Sequence, residues 1–172
     1  MKNAIAVRPT RPADIAHLPA VERSAAQAFL AIPALAWLAQ APVIDSARHR
    51  QYRAQGRSLV AVQEEVPVGF VLLDAADDAL FIAELSVRRD RQGQGAGRSL
   101  LNAAAARARH NGLAALTLTT FRHVPWNAPF YARLGFAVVE EEALTPELKQ
   151  RLEEEAAHGL AREMRCAMRL TL

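Results

Sequence analysis

Between residues 58 and 87, three short β-type segments follow one another, and this run restricts the possible folds more than any other feature. The segments are SLVAVQ (58–63), VGFVLLDA (68–75) and LFIAELSV (80–87). The residues between them are turn formers, Glu64-Glu65-Val66-Pro67 and Ala76-Asp77-Asp78. Apolar, β-branched runs bounded by such turns favour strands, and connections this short join antiparallel neighbours. The sequence therefore predicts an antiparallel meander of three strands.

Helical and strand patterns alternate on both sides of this meander. Before it we predict a strand at 4–8, a helix from Pro12 to about Ile32-Pro33, and a second helix at about 45–55. After it, the predicted elements are helix 97–110, strand 113–120, helix 127–133, strand 135–140, helix 146–158 and strand 162–172. We therefore expect a mixed α/β fold in a single domain over residues 1–172.

The composition excludes several classes of protein. Of the 172 residues, 51% are hydrophobic and 23% are charged, which excludes extended disorder and collagen and fits one domain. The single cysteine, Cys166, can form neither an internal disulfide nor a cysteine-rich zinc site, and we expect no metal. The first residues contain no apolar stretch long enough for a signal peptide, and no run reaches the roughly 18 apolar residues of a membrane span. We expect a cytoplasmic protein that does not bind membranes.

Charge is distributed unevenly along the chain. Residues 86–110 contain six arginines and Asp90, a local charge of +5, whereas residues 140–155 contain seven glutamates against Lys149 and Arg151, a local charge of −5. The basic segment could bind an anion and the acidic segment could attract a cationic substrate, but both could equally be solvated helix faces. Nucleic-acid binding is not expected, because the arginines are not interleaved with aromatic residues on which bases would stack.

A glycine-rich turn, VRRDRQGQGAGR, covers residues 87–98 between the last strand of the meander and a helix. Glycines let backbone N–H groups approach a ligand, and the first turn of a helix offers unpaired donors and the positive end of its dipole, so this turn suits a phosphate. It is not a P-loop, because no lysine is near, and a dinucleotide fingerprint would need glycine at Arg98 and an acid near Thr119 and Thr120. A purely structural turn is the alternative.

Two motifs resemble the signatures of the GNAT N-acetyltransferase superfamily. Gln92-x-x-Gly95-x-Gly97 matches its Q/R-x-x-G-x-G/A pattern, and residues 127–136 match its second signature, N-x-x-x-Y-x-x-x-G-F. The chain resembles this superfamily over nearly its whole length, although Arg89 stands where the family usually has proline. The resemblance implies a GNAT-like fold with a mixed, mostly antiparallel sheet of about seven strands flanked by helices. It also implies that two neighbouring strands splay apart at an acyl-CoA site.

The resemblance assigns several residues to acetyl-CoA, the implied co-substrate. The backbone of the glycine turn would bind the pyrophosphate, and Arg91 and Arg98 would add charge-assisted contacts. The turn residues concerned are Gln92, Gly93, Gln94, Gly95, Ala96, Gly97 and Arg98. The pantetheine arm would lie along the strand end Leu85, Ser86 and Val87, bonded to the backbone of Leu85 and Val87. An amide near Val87 would polarise the thioester carbonyl.

The second motif contributes two further candidate residues. Tyr131 matches the family tyrosine that donates a proton to the departing CoA thiolate. The alternative is that Tyr131, with Phe130 and Leu134, forms the apolar face of a short helix. Asn127 matches a position whose amide reaches the pantetheine, and it could also cap the helix.

A base must take the proton of an attacking amine, and Glu84 is the only carboxylate within LFIAELSV. It shares a face of the strand with Ile82 and Ser86, where an unpaired charge is costly. Either Glu84 acts in catalysis, directly or through a water, or it forms a structural ion pair with an arginine. His123, in the loop after the next strand, is a second candidate base and otherwise a loop histidine.

The implied reaction is transfer of an acetyl group from acetyl-CoA to the primary amine of a small molecule, by direct attack without a metal or a covalent intermediate. We expect the first two helices, the loop 121–126 and the connection 140–159 to select the acceptor. Trp37 and Trp126 could line its pocket or fill the core. Two alternatives are acetylation of a protein N-terminus or lysine, and a CoA-sensing module without turnover. A homodimer is compatible with the resemblance but not required.

Overall fold

The computed structural model describes residues 4–172, so that Lys2, one of the two lysines, lies outside the described residues. The strands are β1 (Ala6–Pro9), β2 (Ser58–Gln63), β3 (Val66–Ala76), β4 (Ala79–Val87), β5 (Ala115–Phe121), β6 (Ala137–Val138) and β7 (Arg165–Thr171). The α-helices are α1 (Leu18–Ala26), α2 (Ser46–Ala54), α3 (Ala96–His110), α4 (Ala128–Arg133) and α5 (Pro146–Ala157). The predicted alternation and the mixed α/β class are confirmed.

The strands form a seven-stranded sheet in the order β1-β2-β3-β4-β5-β7-β6. The pairs β1–β2, β2–β3, β5–β7 and β6–β7 are antiparallel, whereas β4 and β5 run parallel. The register of β4 with β5 covers three residue pairs, from Ala79–Ala115 to Phe81–Thr117, although both strands continue beyond it. The predicted mostly antiparallel sheet of seven strands is confirmed.

The predicted helix from Pro12 to Ile32 is wrong in its extent, because only its middle is α-helical. The flanking segments Pro12–His17, Gln27–Ala31 and Pro33–Gln40 are 3-10 helices. Pro19 lies in the first turn of α1, where its missing N–H is tolerated. At the other end, the N–H of Gln27 bonds back to the carbonyl of Ser24, which is the tighter spacing of a 3-10 turn.

The predicted strand 135–140 is also shorter than expected. β6 keeps two residues, both exposed, at the edge of the sheet, where it pairs with β7 alone. The chain then enters a 3-10 helix at Glu141–Ala143. A strand with a single neighbour gains fewer ladder bonds, and this limits its length.

The described residues divide into two compact units, one of residues 4–73 with Ala83–Ala104, the other of Asp74–Ile82 with Ala105–Leu172. The core of the first unit, which we call the α1 cluster, has Ile44 and Ala83 packed against its buried side chains. Those side chains are Leu18, Val21, Tyr52, Val60, Val62, Phe70 and Leu72. The second unit buries side chains of β5, α5 and β7, including Leu116, Leu118, Leu152 and Met168. The single domain stays a prediction. Within residues 4–172, no helix is long and apolar enough to span a membrane.

Candidate active site

The end of β4 carries the predicted base next to a buried hydroxyl. Glu84 is partly buried, and Ser86 is 3% exposed. The Ser86 hydroxyl donates a hydrogen bond of 3.0 Å to Oε1 of Glu84. The Ser86 hydroxyl thus holds the Glu84 carboxyl in position near the end of β4. The sequence analysis named Ser86 only as part of the strand end along the pantetheine arm and missed this role of its side chain.

Two contacts describe the surroundings of β4 near its end. Ala83 packs against the α1 cluster, to which Phe70 of β3 belongs. A Cβ on Gly69 of β3 would lie 3.3 Å from the side chains of Val87 and Leu100. Gly69 therefore lies close to both the last residue of β4 and the helix α3.

Gly69 also explains how closely β3 approaches this part of β4. A Cβ at Gly69 would lie 3.0 Å from the carbonyl oxygen of Ser86. Any larger residue at position 69 would therefore have to displace the backbone of β4, along which the pantetheine arm is expected to lie. The sequence contained one signal of this role, since a glycine inside a strand pattern often marks close approach of another backbone.

The glycine turn leads from β4 into α3 with an open surface. Gly93 and Gly95 have φ of +78° and +88°, and a Cβ on either would meet nothing within 4 Å. Their backbone conformation is one that other residues adopt only with strain. The space beside them, with the unpaired N–H groups of the first turn of α3, fits an anionic group. The structure thus brings together in one turn the predicted cradle residues 92–98.

The two glutamines of the turn hold it in place through their side chains. Nε2 of Gln92 donates to the carbonyl of Val87 at 3.1 Å, which closes the turn onto the end of β4. Oε1 of Gln94 accepts from Nε2 of Gln63 at 3.4 Å. Both contacts are made by side chains, and binding of a ligand by the backbone of the turn stays a prediction.

The arginines around the turn are not equivalent. Arg88 and Arg91 both contact Asp90, at 2.8 and 3.1 Å, so that this one carboxylate balances one of their two charges. Arg98, in the first turn of α3, is exposed and has no ion-pair partner in the described part of the chain. Of the two arginines assigned to the phosphates, Arg98 is the better placed to meet an anion.

Arg89, where the family usually has proline, links the turn to α1. Its backbone N–H donates to Oγ of Ser24 at 3.0 Å, and its Nη1 donates to the carbonyl of Gln27 at 3.5 Å. Proline could not make the first bond, because it has no N–H. Because Arg89 replaces the family proline, this protein has an additional hydrogen bond between α1 and the beginning of the turn.

Tyr131 and Asn127 lie in and before α4. Tyr131 is 9% exposed and packs edge-on against Phe130 and Phe136, with ring centroids 5.3 and 5.6 Å apart. Its ring is therefore part of an apolar cluster, as the alternative interpretation of Tyr131 predicted. A catalytic role of its hydroxyl stays a prediction. Asn127 occupies the N-cap position, but its side chain caps no N–H of α4. The capping interpretation of Asn127 is wrong.

The side chains predicted for the acceptor side have different environments. His123 is exposed in its loop. Trp37 is 46% and Trp126 36% exposed, so neither fills the core. In the acidic segment 140–155, three glutamates pair with arginines and do not form a free acidic surface. The pairs are Glu141–Arg162, Glu147–Arg151 and Glu155–Arg165.

Glu22 is a charged residue of this region that the sequence analysis did not single out. It lies on α1, partly buried, and its Oε1 accepts the backbone N–H of Ile44 at 2.9 Å. Burial raises the pKa of the Glu22 carboxyl, against the smaller opposing effects of the Ile44 N–H and the charge of Arg23. Helical periodicity gave no sign of this, because Glu22 follows Val21 at the boundary between the buried and polar faces.

Several solved structures have this fold. PaiA N-acetyltransferase from Thermoplasma acidophilum, solved with coenzyme A, has a TM-score of 0.71 at 16% identity, covering 98% of this chain and 99% of that one. The ribosomal-protein-S18-alanine N-acetyltransferase of Escherichia coli has a TM-score of 0.68 at 17% identity, covering 98% and 94%. N-acetylglutamate synthase from Neisseria gonorrhoeae, complexed with coenzyme A and N-acetyl-glutamate, has 0.72 at 18%, covering 100% of this chain but 36% of that chain. The fold is thus one found in N-acetyltransferases.

The sequence itself determines the family. The model of the Acetyltransferase (GNAT) family matches residues 26–136, a stretch that includes β4, the glycine turn and α4. The chain therefore belongs to the GNAT acetyltransferase family, whose members are acyltransferases. The predicted resemblance and the predicted enzyme class are confirmed.

Proposed function

We propose that this protein transfers an acetyl group from acetyl-CoA to the primary amine of a small molecule by direct attack. The observation that carries the proposal is the open glycine turn, with Gly93 and Gly95 at positive φ, placed directly between β4 and α3. Acetyl-CoA would supply a thioester, whose carbonyl carbon the amine attacks. That PaiA and the N-acetylglutamate synthase were solved with coenzyme A supports this co-substrate.

The turn has the properties that a pyrophosphate needs. Its backbone N–H groups and the unpaired guanidinium of Arg98 would bind the phosphates, and no side chain would obstruct them at Gly93 or Gly95. Leu85, Ser86 and Val87 would bind the pantetheine arm, with the backbone of Leu85 and Val87 as hydrogen-bonding partners. The carbonyl of Val87 accepts from Gln92, and the N–H of Val87 would polarise the thioester carbonyl.

Two side chains would move protons. Glu84, which accepts a hydrogen bond from the Ser86 hydroxyl, would accept the proton of the acceptor amine, either directly or through a water. His123, exposed in its loop, is the alternative base. Tyr131 would donate its hydroxyl proton to the departing thiolate, and Asn127, whose amide does not cap α4, would contact the pantetheine.

The test is a Tyr131→Phe variant, with Tyr52→Phe as the matched control, since Tyr52 is the only other tyrosine. Acetyl-CoA binding is measured by calorimetry and acetyl transfer by release of free thiol in the presence of an amine panel. We expect Tyr131→Phe to keep acetyl-CoA binding and to lose roughly 100-fold in turnover, as loss of a general acid does. Tyr52→Phe should keep both properties.

The outcomes separate the alternatives. If Tyr131→Phe retains full turnover, the assignment of Tyr131 is wrong. Acetyl-CoA binding without turnover of any amine would favour a CoA-sensing module, and acetylation confined to peptides would favour a protein acetyltransferase. Absence of acetyl-CoA binding would contradict the proposal as a whole.

The fold does not choose between acceptors, since a structure of this fold is that of a ribosomal-protein N-acetyltransferase. A cytoplasmic location and a homodimer also stay predictions.

A further inference from the structure

We propose that Ser24 of α1 is a positioning residue for acetyl-CoA, which holds the entrance of the glycine turn through the backbone N–H of Arg89. The inference rests on the proposed function and adds to it a residue that lies outside both motifs and before the stretch 26–136 that the family model matches. Ser24 acts through the turn and not by contact with acetyl-CoA.

The backbone N–H groups of the turn form two sets. Within residues 4–172, those of residues 93–98 have no hydrogen-bond acceptor, and they are the donors that the proposed pyrophosphate site offers. At the entrance of the turn the donors are used. Arg88 donates to the carbonyl of Val68 at 2.8 Å, and Arg91 donates to the carbonyl of Arg88 at 2.9 Å. The position of the entrance therefore decides where the free donors lie.

The N–H of Arg89 joins this entrance to a distant part of the chain. It donates to Oγ of Ser24, 65 residues earlier, at 3.0 Å. The Arg89 side chain adds a longer contact of 3.5 Å from Nη1 to the carbonyl of Gln27, the residue that follows α1. One backbone bond and one side-chain contact thus hold the entrance of the turn against the end of α1.

Proline at position 89 would order the turn by a different means. Arg89 is the first residue of the 3-10 helix Arg89–Arg91, a position that proline tolerates. Arg88 before it has φ of −50° and ψ of 136°, the extended conformation of a residue that precedes proline. The usual family proline would fit this backbone and restrict it locally, but without an N–H. In this chain the bond to Ser24 supplies the restriction instead.

The packing of α1 makes it a firm support for this bond. Leu18 and Val21 of α1 are 0% and 2% exposed, and both belong to the α1 cluster with Phe70 of β3. β3 is the neighbour of β4, from which the turn begins. Because packing already orders the helix, the Ser24 hydroxyl binds the turn at a small further cost in entropy.

The first test is Ser24→Ala, with Ser24→Thr as the variant that keeps the hydroxyl. Acetyl-CoA affinity is measured by calorimetry, and KM and kcat with the best acceptor of the amine panel at saturation. We expect Ser24→Ala to weaken acetyl-CoA binding and raise its KM by roughly 3- to 10-fold, the effect of one neutral hydrogen bond, with kcat unchanged. Ser24→Thr should keep the wild-type values. Partial unfolding would instead lower kcat through the active fraction and leave KM unchanged.

Two substitutions at position 89 identify the donor. Arg89→Pro removes both the guanidinium and the N–H, whereas Arg89→Ala removes the guanidinium alone. Ser24→Ala should therefore weaken acetyl-CoA binding in the Arg89→Ala background and have no effect in the Arg89→Pro background.

A third measurement needs no ligand. The amide resonance of Arg89 is identified by its absence in Arg89→Pro. Hydrogen exchange at this amide should be faster in Ser24→Ala than in wild type, because the N–H loses its acceptor. Ser46→Ala, on α2, is the control and should leave the exchange rate unchanged.

Equal acetyl-CoA affinities of wild type and Ser24→Ala would overturn the inference. A full effect of Ser24→Ala in the Arg89→Pro background, or an unchanged exchange rate of the Arg89 amide, would also overturn it. These results leave the proposed function intact when the wild type binds acetyl-CoA. A wild type that does not bind acetyl-CoA would contradict the proposed function and, with it, the inference that rests on it.

Discussion

The hydroxyl of Ser86 donates a hydrogen bond of 3.0 Å to the carboxylate of Glu84, so the candidate base of this enzyme has a polar partner on its own strand, β4. Two residues apart on a regular strand, the two side chains share a face, and the buried position of Ser86 shields their bond from water. The bond supplies the polar partner that a carboxylate on an apolar strand requires.

Removing this donor should slow the reaction. In Ser86→Ala the carboxylate of Glu84 loses its hydrogen bond from Ser86, so kcat should fall by roughly 10-fold, the effect of one hydrogen bond to a charged group. The kcat of wild type, Ser86→Ala and Ser46→Ala is measured with saturating acetyl-CoA, where Ser46, at the start of α2, is the control. Equal kcat values of wild type and Ser86→Ala would show that this bond does not support the base.

The glycine turn allows a test that separates backbone strain from ligand binding. Gly95 and Gly112 have similar φ, +88° and +72°, and open space around the position of a Cβ. Alanine at either should therefore cost about 1 kcal/mol of unfolding free energy through the same strain. We expect Gly95→Ala alone to weaken acetyl-CoA binding, measured by calorimetry. Equal affinities of the two variants would argue that the turn does not bind the phosphates.

A partly buried ion pair fastens α5 to β7. Glu155 accepts from Nε and Nη2 of Arg165 at 3.2 and 3.1 Å and from the hydroxyl of Thr119 at 2.6 Å, and the Arg165 guanidinium lies 4.5 Å from the ring centroid of Phe121. Arg165 is 9% exposed, so its charge would be left without a partner in Glu155→Ala. We expect a loss of about 2 kcal/mol in urea unfolding, below the full value for a buried pair because Glu155 is partly solvated.

The exposed Glu153 provides the comparison for this pair. Glu153→Ala should change the unfolding free energy by less than about 0.5 kcal/mol. If the two variants lose the same stability, the Glu155–Arg165 contact contributes nothing beyond a surface charge.

His49 should make stability depend on pH. It is fully buried against Phe70, with ring centroids 5.0 Å apart, and within residues 4–172 neither ring nitrogen has a hydrogen-bond partner. Burial lowers the pKa of His49, and the smaller effect of the Asp45 charge opposes this. The unfolded chain therefore takes up the proton first, so stability should fall as the pH drops below the ordinary histidine value of about 6.5.

The measurement compares wild type with His49→Leu in urea unfolding at about pH 7.5 and about pH 5.5, where His49 should contribute roughly 1 kcal/mol of the difference. His49→Leu should lose this part of the dependence, and the exposed His110→Gln should retain it. Identical pH dependence of wild type and His49→Leu would contradict the prediction.

Local patterns predicted most of the secondary structure because strands and amphipathic helices leave periodic signals. The segments 58–63 and 80–87 and the helix at 146–158 were predicted to within one residue of β2, β4 and α5. Where the signal was not periodic, the prediction failed. The helix from Pro12 to Ile32 is split by 3-10 turns, and β6 is reduced to two residues because it has only one neighbour in the sheet.

The two motifs, their order and the family came from the sequence alone, because a glycine turn needs particular residues at fixed spacing. Contacts between residues distant in sequence came only from the tertiary structure. A Cβ at Gly69 would lie 3.0 Å from the carbonyl oxygen of Ser86, which explains the glycine there, and the carboxylate of Glu22 accepts the N–H of Ile44, 22 residues away. Neither contact leaves a local pattern, since each depends on how separate elements pack. The sequence alone therefore determined the family and the co-substrate to expect, and folding decided which groups each carboxylate contacts, because these contacts join separate elements.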